Sequence, residues 1–348
     1  MRMEEYDFLR EYDEHSDVFE FVNEEVGLRG YIAIHRKRGK LSTGGTRFFD
    51  YASDHDALRD VLRLSAAMTS KCVVAGLPYG GGKAVIIGDP KKIKSEALLI
   101  AYAEIISMLQ GAFFTGEDVG MTEEDVQVLI EHSPFFNGKT GFAGDPSPYA
   151  ARSVFTVMKK AAELYLHTST LEGEKIAVKG LGKVGGALLH LLDDEKVILS
   201  GADISETAIQ TALTSHPQMT IITPKEITFS ECLIFAPCAF GREIRLDSFD
   251  RIKARMICGG ANNQLESSSL ATQLMKRGIL YVPDYLANAG GLINVSEELE
   301  GDGYHPERVT ARIEHLVSIL EDSYLNAEKK GISLSDSVDD YVVSQLGV

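Results

Sequence analysis

The feature that most constrains the fold is a glycine-rich turn in the middle of the chain, Gly180-Leu181-Gly182-Lys183-Val184-Gly185, followed directly by Gly186. The apolar residues 176–179 before it are predicted to form a strand, and residues 185–192 a helix. A turn of this kind lets the backbone approach a pyrophosphate at the positive end of the helix. We therefore predict that residues 180–186 bind a dinucleotide.

Asp203 ends the next predicted strand, residues 197–203. A carboxylate there would accept hydrogen bonds from the hydroxyls of an adenosine ribose and repel a 2′-phosphate, which favours NAD over NADP. Lys179 and Lys183 flank the turn and could strengthen pyrophosphate binding or weaken the preference for NAD. The alternative is an ordinary turn between a strand and a helix, with an aspartate on the surface.

Strands and helices alternate through the second half of the chain, which predicts a doubly wound parallel sheet of the Rossmann type in residues 141–330. Residues 1–140 mix short strands and helices and are expected to form a separate α/β domain. Residues 137–148 are rich in turn formers and are the predicted linker. Residues 331–348 are expected to pack back on the first domain.

Composition mainly excludes classes of function. The chain has 348 residues, too many for one small core and about right for two domains. Its formal net charge of −16 argues against nucleic acid or an anionic membrane as a partner. No secretory signal and no apolar run of membrane-spanning length is visible. The four cysteines form no C-x-x-C pair and no histidine cluster completes a zinc pattern, so we expect reduced thiols, no metal and a cytoplasmic location.

Two lysines suggest amine chemistry in the first domain. Lys83 follows three glycines in Gly80-Gly81-Gly82-Lys83, and Lys71 lies just beyond a helix predicted over residues 53–68. The glycines would let substrate and cofactor approach closely, while burial and the charge of Lys71 would favour the neutral amine of Lys83. A neutral amine can take a proton from a substrate or from water. The alternative is a flexible loop with a solvated lysine.

Asp118, in Gly116-Glu117-Asp118-Val119-Gly120, is a weaker candidate, since it is one acid among 51. It follows a predicted strand in the same domain as both lysines. In the second domain, Asn262, Asn263 and Asn288 follow predicted strands, at the ends where ligands bind in open α/β sheets. Their uncharged amides suit a carboxylate and a nicotinamide carboxamide, although turn formation could also explain either segment alone.

The segment Leu77 to Pro90 resembles the signature of the glutamate/leucine/phenylalanine/valine dehydrogenases. Seven further segments match the family's motifs in the same order, over roughly residues 15 to 330. They are Gly44-Gly45-Thr46-Arg47, Met68-Thr69-Ser70-Lys71, Gly116-Glu117-Asp118-Val119-Gly120, Gly144-Asp145-Pro146-Ser147-Pro148, Ala236-Pro237-Cys238-Ala239, Ala261-Asn262-Asn263-Gln264-Leu265 and Asn288-Ala289-Gly290-Gly291.

The resemblance implies oxidative deamination of an L-amino acid to a 2-oxo acid and ammonia, with NAD as hydride acceptor, and the reverse amination. Lys71 would bind the substrate carboxylate, Lys83 would be the general base that activates water, and Asp118 would shuttle protons to and from the amine. The first domain would bind substrate and mediate assembly as a homo-oligomer, a dimer or an octamer. The reaction would take place in the cleft between the domains, whose closure excludes water.

The same resemblance assigns binding residues. Gly45, Asn263 and Asn288 would lie on the substrate side, and Asn262 and Ser147 near the nicotinamide. The side-chain pocket would be formed by Thr43, Gly116, Leu292 and Val295.

The pocket residues favour the leucine, phenylalanine and valine branch, or the tryptophan members. Thr43 stands where glutamate enzymes carry a lysine, so a glutamate side chain would lack its charge partner. Thr43 and Gly116 are smaller than the residues typical of leucine enzymes, which predicts a wider pocket for phenylalanine or tryptophan. Branched-chain activity could persist, because a methylene of space discriminates by only about 1–3 kcal/mol.

Two other functions remain open at this point. A non-catalytic NAD-binding or amino-acid-sensing protein could share the fold, although it would have no need of Lys71, Lys83 and Asp118. A hydroxy-acid dehydrogenase would need a catalytic histidine near a carboxylate, and none of the nine histidines lies in a recognisable motif.

Overall fold

The computed structural model describes residues 12, 15–39, 41–138, 143–239, 241–300 and 303–347. The chain divides into two compact units. The first unit comprises Met1–Asp145 and Val295–His305, and the second comprises Pro146–Asn294 and Pro306–Val348. Within the described ranges, no helix is both long and apolar enough to span a bilayer.

The division differs from the predicted boundaries in three places, the first being that the first unit extends to Asp145 rather than to residue 140. Residues 295–305 return to the first unit, where Glu298 accepts hydrogen bonds from the backbone amides of Gly138 (3.0 Å) and Ala143 (2.9 Å). These two residues belong to the predicted linker, whose residues 139–142 lie outside the described part of the chain. The chain end belongs to the second unit, so the expectation that residues 331–348 pack on the first domain is wrong.

The first unit is a mixed sheet with helices on both faces. Its strands are β1 (Asp17–Asn23), β2 (Leu28–Ile34), β3 (Ser42–Thr43), β4 (Thr46–Phe49), β5 (Gly80–Ile87) and β6 (Phe113–Phe114). Its helices are α1 (Asp54–Val74), α2 (Pro90–Ile93), α3 (Glu96–Met108) and α4 (Glu123–His132). The strand order is β1-β2-β5-β3-β6, with β4 also paired to β5. The pairs β1–β2 and β2–β5 are antiparallel, and β3 and β4 run parallel to β5.

Side chains of the central strands alternate between two apolar cores. Ile86 of β5 packs with Tyr102 of α3 on one face of the sheet. Val85 of the same strand packs with Val61 and Leu62 of α1 on the other face. This period-two alternation is what a strand covered on both sides requires.

Helix α1 is longer than predicted. Ser53 caps it by accepting a hydrogen bond from the Asp56 amide, and the helix continues past Met68 to Val74 and includes Lys71. The extension is held by burial, since Thr69 and Cys72 lie against β5. Lys71 stands in the last turn, where a positive charge is favoured by the helix dipole.

The three glycines before Lys83 are part of β5 and are buried, so they do not form a loop. A Cβ atom at Gly81 would lie 2.1 Å from the Thr69 amide nitrogen and 2.4 Å from the Ser65 carbonyl oxygen. One at Gly82 would lie 2.5 Å from the ring of Phe113. The missing side chains therefore leave room for α1 and Phe113 of the protein itself. The expectation that they make room for substrate and cofactor is wrong for these positions.

The second unit is an α/β unit with a parallel sheet. Its strands are β7 (Lys175–Lys179), β8 (Ile198–Ala202), β9 (Thr220–Ile221), β10 (Ile234–Pro237), β11 (Met256–Ile257) and β12 (Leu280–Tyr281). Its helices are α5 (Ser147–Ala161), α6 (Lys183–Asp194), α7 (Glu206–Ser215), α8 (Ser269–Lys276), α9 (Asp284–Ala287), α10 (Gly290–Ser296), α11 (Pro306–Lys330) and α12 (Leu334–Leu346), with the last residues of α10 assigned to the first unit.

The sheet of the second unit has the order β12-β11-β10-β7-β8-β9, and every pair in it is parallel. This is the order of a dinucleotide-binding sheet, with the change of direction between β7 and β10. The predicted α/β class and doubly wound parallel sheet are confirmed. Helix α12 packs near α8, where Thr272 and Asp336 are 3.3 Å apart.

Replacing Gly81 with alanine tests the packing of β5 on α1. We expect the free energy of unfolding to fall by about 3 kcal/mol, because the new methyl group would collide with the backbone of α1. Urea denaturation measures the change. As control, Gly186→Ala adds a methyl group 3.5 Å from its nearest neighbour, inside α6, and should change stability by less than about 1 kcal/mol. Equal effects of the two substitutions would contradict this account.

Candidate active site and nucleotide-binding turn

The centre of the first unit's site is an ion pair between Lys83 and Asp118. Lys83 lies on β5 with 8% of its side chain exposed, and Asp118 lies in the loop after β6 with 18% exposed. One residue comes from a strand and the other from a loop, and they meet on the face of the sheet that α1 covers. The alternative of a solvated lysine in a flexible loop does not describe this position.

Gly45 makes this meeting possible. β3 and β4 both pair in parallel with β5, one after the other along the chain. Only Gly44-Gly45 separates them, and these two glycines lie opposite Gly82-Lys83 of β5. A Cβ atom at Gly45 would lie 3.2 Å from Lys83 Nζ and 3.2 Å from Asp118 Cβ. Any side chain at this position would therefore press on both members of the pair.

The environment keeps Asp118 ionised. Burial raises the pKa of its carboxyl group, but the positive charges of Lys83 and Arg47 outweigh burial and bring the pKa down to about 2. The backbone amide of Val119 also donates to Asp118 Oδ1 at 2.6 Å. The carboxylate is thus charged and fixed in place at neutral pH.

Arg47 is a residue that sequence reasoning did not single out. Its guanidinium lies 3.7 Å from Asp118 and 2.8 Å from Asp60 of α1. Asp60 also accepts hydrogen bonds from Tyr51 at 2.7 Å and from Arg63 at 2.5 Å. The only available signal was the position of Arg47 at the end of the Gly44-Gly45-Thr46-Arg47 segment.

Lys71 is half-buried and stands three residues after Met68 on α1. Met68 Cγ lies 3.6 Å from the Cβ position of Gly44. Residues three apart are neighbours on a helix surface, so Lys71 is on the side of α1 that borders the break between β3 and β4. Its predicted role toward the substrate carboxylate remains a prediction.

The two small pocket residues of the first unit have a common neighbour, Asn137. The Asn137 amide is 3.4 Å from the Thr43 hydroxyl, and a Cβ atom at Gly116 would lie 3.2 Å from the Asn137 carbonyl oxygen. Thr43 and Asn137 are both buried. Asn137 therefore takes up part of the space that the sequence-based argument assigned to a wider pocket. The remaining pocket candidates, Leu292 and Val295, are half-buried and three residues apart on α10.

In the second unit, the glycine turn has the geometry that a pyrophosphate needs. Gly180 has a φ of 97°, and a Cβ atom at Gly185 would lie 1.8 Å from the Gly180 carbonyl oxygen, so helix and strand approach closely. Gly182 is the N-cap of α6, makes no side-chain cap, and has no described atom within 4 Å of its Cβ position. Open space therefore adjoins the start of α6 at Gly182, which fits NAD. Among the described residues, no group of three or more His, Cys, Asp or Glu could hold a metal ion.

Asp203 lies beside this turn, just after β8. Its carboxylate accepts hydrogen bonds from the backbone amides of Leu181 (2.7 Å) and Ser205 (2.8 Å). Each oxygen retains capacity for a further hydrogen bond, so the residue still fits a ribose hydroxyl. Lys179 forms an ion pair with Glu243 at 2.7 Å, which gives its charge an internal partner. Lys183 is exposed at the start of α6.

The two asparagine segments meet as their positions after β11 and β12 predict. Asn288 Nδ2 donates to the Gly260 carbonyl at 3.1 Å and to Asn262 Oδ1 at 2.9 Å. Asn288 Oδ1 is buried and has no hydrogen-bond partner among the described residues, so it is an acceptor that a ligand could satisfy. Asn263 holds a left-handed conformation, with φ of 51°. Ser147 begins α5.

Comparison with known proteins decides the family. Residues 17–135 match the sequence model of the Glu/Leu/Phe/Val dehydrogenase dimerisation domain. Residues 201–339 match that of the Glutamate/Leucine/Phenylalanine/Valine dehydrogenase domain. The chain belongs to the Glu/Leu/Phe/Val dehydrogenase family. It is therefore an amino-acid dehydrogenase, and the predicted family resemblance is confirmed.

Relatives of this dehydrogenase match along nearly their whole length. It is 38% identical to leucine dehydrogenase of Bacillus subtilis over 333 residues, covering 95% of this chain and 90% of that protein. Identity to phenylalanine dehydrogenase of Thermoactinomyces intermedius is also 38%, covering 95% and 91%. The crystal structure of L-tryptophan dehydrogenase from Nostoc punctiforme is similar with a TM-score of 0.81, at 34% identity and 96% coverage of both chains.

Replacing Asp118 with asparagine tests the ion pair through pH. Because the pKa of Asp118 falls from 3.8 to about 2 on folding, the carboxylate should contribute about 2 kcal/mol to stability at pH 6. A carboxylate whose pKa is lowered on folding stabilises the folded protein at pH values above its pKa in the unfolded state. This contribution is therefore lost as the pH falls from about 4 toward 2. Urea denaturation at pH 6, 4 and 3 should show that the difference in free energy of unfolding between wild type and Asp118→Asn becomes smaller as the pH falls.

The matched control is Glu104→Gln, which changes an exposed acid of α3. Its stability should track the wild type at all three pH values. A gap between wild type and Asp118→Asn that stays constant over this range would show that the charge of Asp118 is not what stabilises the site.

Proposed function

We propose that this dehydrogenase catalyses the reversible, NAD-dependent oxidative deamination of an apolar L-amino acid to its 2-oxo acid and ammonia. The observation that carries the proposal is the buried Lys83–Asp118 pair over the bare backbone of Gly45. A base and an acid held in contact, next to a position with no side chain, suit proton transfer at a small substrate. In the overall reaction, amino acid, NAD⁺ and water give 2-oxo acid, ammonium, NADH and a proton.

Each residue of the first unit has a defined task in this proposal. Lys71, on the side of α1 that borders the strand break, binds the substrate carboxylate through its ammonium group. Asp118 takes a proton from the substrate ammonium and returns one to the leaving amine. Lys83, as the neutral amine, takes a proton from the water that attacks the imine carbon.

The ion pair implies a pH dependence. While Lys83 is protonated it cannot act as a base, and its charge is the main one that lowers the pKa of Asp118. Loss of the Lys83 proton frees its amine and makes Asp118 a better base at the same time. Activity should therefore rise toward alkaline pH.

NAD supplies the hydride acceptor when it is bound to the second unit. Gly180, Gly182 and Gly185 and the first amides of α6 would hold the pyrophosphate, and Asp203 the adenosine ribose. The preference for NAD over NADP is supported by the negative charge of Asp203 and by the pairing of Lys179 with Glu243, which gives that ammonium an internal partner. Asn262 and Ser147 are proposed to lie near the nicotinamide, and Asn263 and Asn288 near the substrate.

For the substrate side chain, we propose phenylalanine or tryptophan over leucine and valine. Thr43 and Gly116 remain small, which supports an aromatic substrate, while Asn137 reduces the volume they leave. Relatives named for leucine, phenylalanine and tryptophan are all similar to this chain, so the margin between substrates is proposed to be modest.

Assembly and location complete the proposal. The match to a dimerisation domain supports a homo-oligomer, for which we propose a dimer or an octamer. All four cysteines are free thiols, which supports a reducing, cytoplasmic location.

The first measurement is the initial rate of NAD reduction with a panel of L-amino acids at alkaline pH. We expect activity with phenylalanine or tryptophan above leucine and valine, no activity with glutamate, and a lower rate with NADP. Leucine or valine as the best substrate would show that the pocket is filled by other residues. Measurable binding of NAD without activity toward any amino acid would overturn the proposed function.

Replacing Lys83 with arginine separates charge from base strength. Arginine keeps a positive partner for Asp118 but cannot lose its proton, so turnover should fall by at least about a thousandfold while NAD affinity stays within about twofold. Lys83→Ala should be equally inactive. Lys91→Ala, at an exposed lysine of α2, should retain full activity. Retained turnover in Lys83→Arg would remove Lys83 from the role of base.

A further inference from the structure

Arg47 connects the Lys83–Asp118 pair to the helix that covers it. It lies on β4, two residues after Gly45, and residues two apart point to the same face of a strand. Its Nη2 atom is 3.7 Å from Asp118 Oδ1, while its Nη1 atom is 2.8 Å from Asp60 Oδ2. One guanidinium thus bridges two carboxylates through different nitrogens.

Asp60 is a fixed anchor for this bridge. It has 14% of its side chain exposed and accepts from Tyr51 at 2.7 Å and from Arg63 at 2.5 Å, in addition to Arg47. Burial raises the pKa of Asp60, but its two arginine neighbours outweigh burial and leave the pKa below its ordinary value. A carboxylate held by three donors has little freedom, so it fixes the side chain of Arg47 in turn.

We propose that Arg47, anchored by Asp60, is a positioning residue that holds the Asp118 carboxylate opposite Lys83. The inference rests on the proposed function, because it assigns Arg47 a part in the proton transfers of that pair. Arg47 does not touch the substrate in this account. It acts through Asp118, by geometry and by charge.

The charges around Asp118 determine in which direction the pH dependence of activity shifts when Arg47 loses its charge. Lys83 faces it from β5, Arg47 from β4 and the Val119 amide from its own loop. Beyond Arg47 stand Asp60 and Arg63 of α1 with the Tyr51 hydroxyl, and Glu117 precedes Asp118 in the loop. Removing the positive charge of Arg47 stabilises the protonated forms of the Lys83–Asp118 pair. The acid limb of the plot of kcat/KM against pH must therefore move to higher pH.

The experiment compares Arg47→Gln and Arg47→Lys in the full-length enzyme. For Arg47→Gln we expect the acid limb of kcat/KM against pH to move up by about one unit, and kcat to fall by at least about tenfold. Arg47→Lys keeps the charge but cannot contact both carboxylates as a planar fork does. Arg47→Lys should therefore return the acid limb to within about 0.3 pH unit of its wild-type position, while kcat stays low.

Two further variants serve as controls. Arg29→Gln removes an exposed arginine of the same unit that pairs with Asp54 and makes no described contact with Asp60 or Asp118, so its limb should stay in place with kcat within about twofold. Asp60→Asn frees Arg47 but retains its charge, so kcat should fall while the limb does not move up. Thermal melting of each variant identifies any loss of fold.

A readout independent of turnover uses the amine itself. The pH dependence of Lys83 acylation by acetic anhydride, read by peptide mass spectrometry, should move to higher pH in Arg47→Gln and not in Arg29→Gln. An unmoved acylation profile and limb in a folded Arg47→Gln would overturn the inference while leaving the proposed function intact. A wild-type enzyme without activity, but with the acylation shift, would overturn the proposed function and retain the contact between Arg47 and the pair.

Discussion

A lysine with 8% of its side chain exposed can be stable in this fold only because a carboxylate faces it. The partners come from β5 and from the loop after β6, and β3 lies between these two strands in the sheet. They meet across the break at Gly44-Gly45, where no side chain separates them. Strand order, strand register and the missing side chain at Gly45 are therefore all conditions for the ion pair.

Features that depend on local sequence could be predicted well. The turn before α6 and the alternation of strands and helices in the second unit both follow from neighbouring residues. The end of α1 could not be predicted in this way. Helix α1 continues to Val74 because Thr69 and Cys72 are buried against β5, and that contact is made with residues in another element.

The candidate site shows the same limit. Lys83 and Asp118 could be named from motifs, although their contact joins a strand to a distant loop. The bridge from Arg47 to Asp60, the pairing of Lys179 with Glu243, and the contact of Asn137 with Thr43 could not be predicted. Each joins residues whose separation in sequence carries no periodic signal, and each changes the balance of charge or volume that the motifs alone suggest.

The buried glycines of β5 have a consequence for how such chains are recognised. Gly81 and Gly82 are required by α1 and Phe113, which are parts of the scaffold. A descendant that had lost its chemistry would still need them in order to fold, whereas nothing in the packing would oblige it to retain a base. The glycine run is thus a marker of ancestry and architecture, and the side chain that follows it is the marker of catalysis.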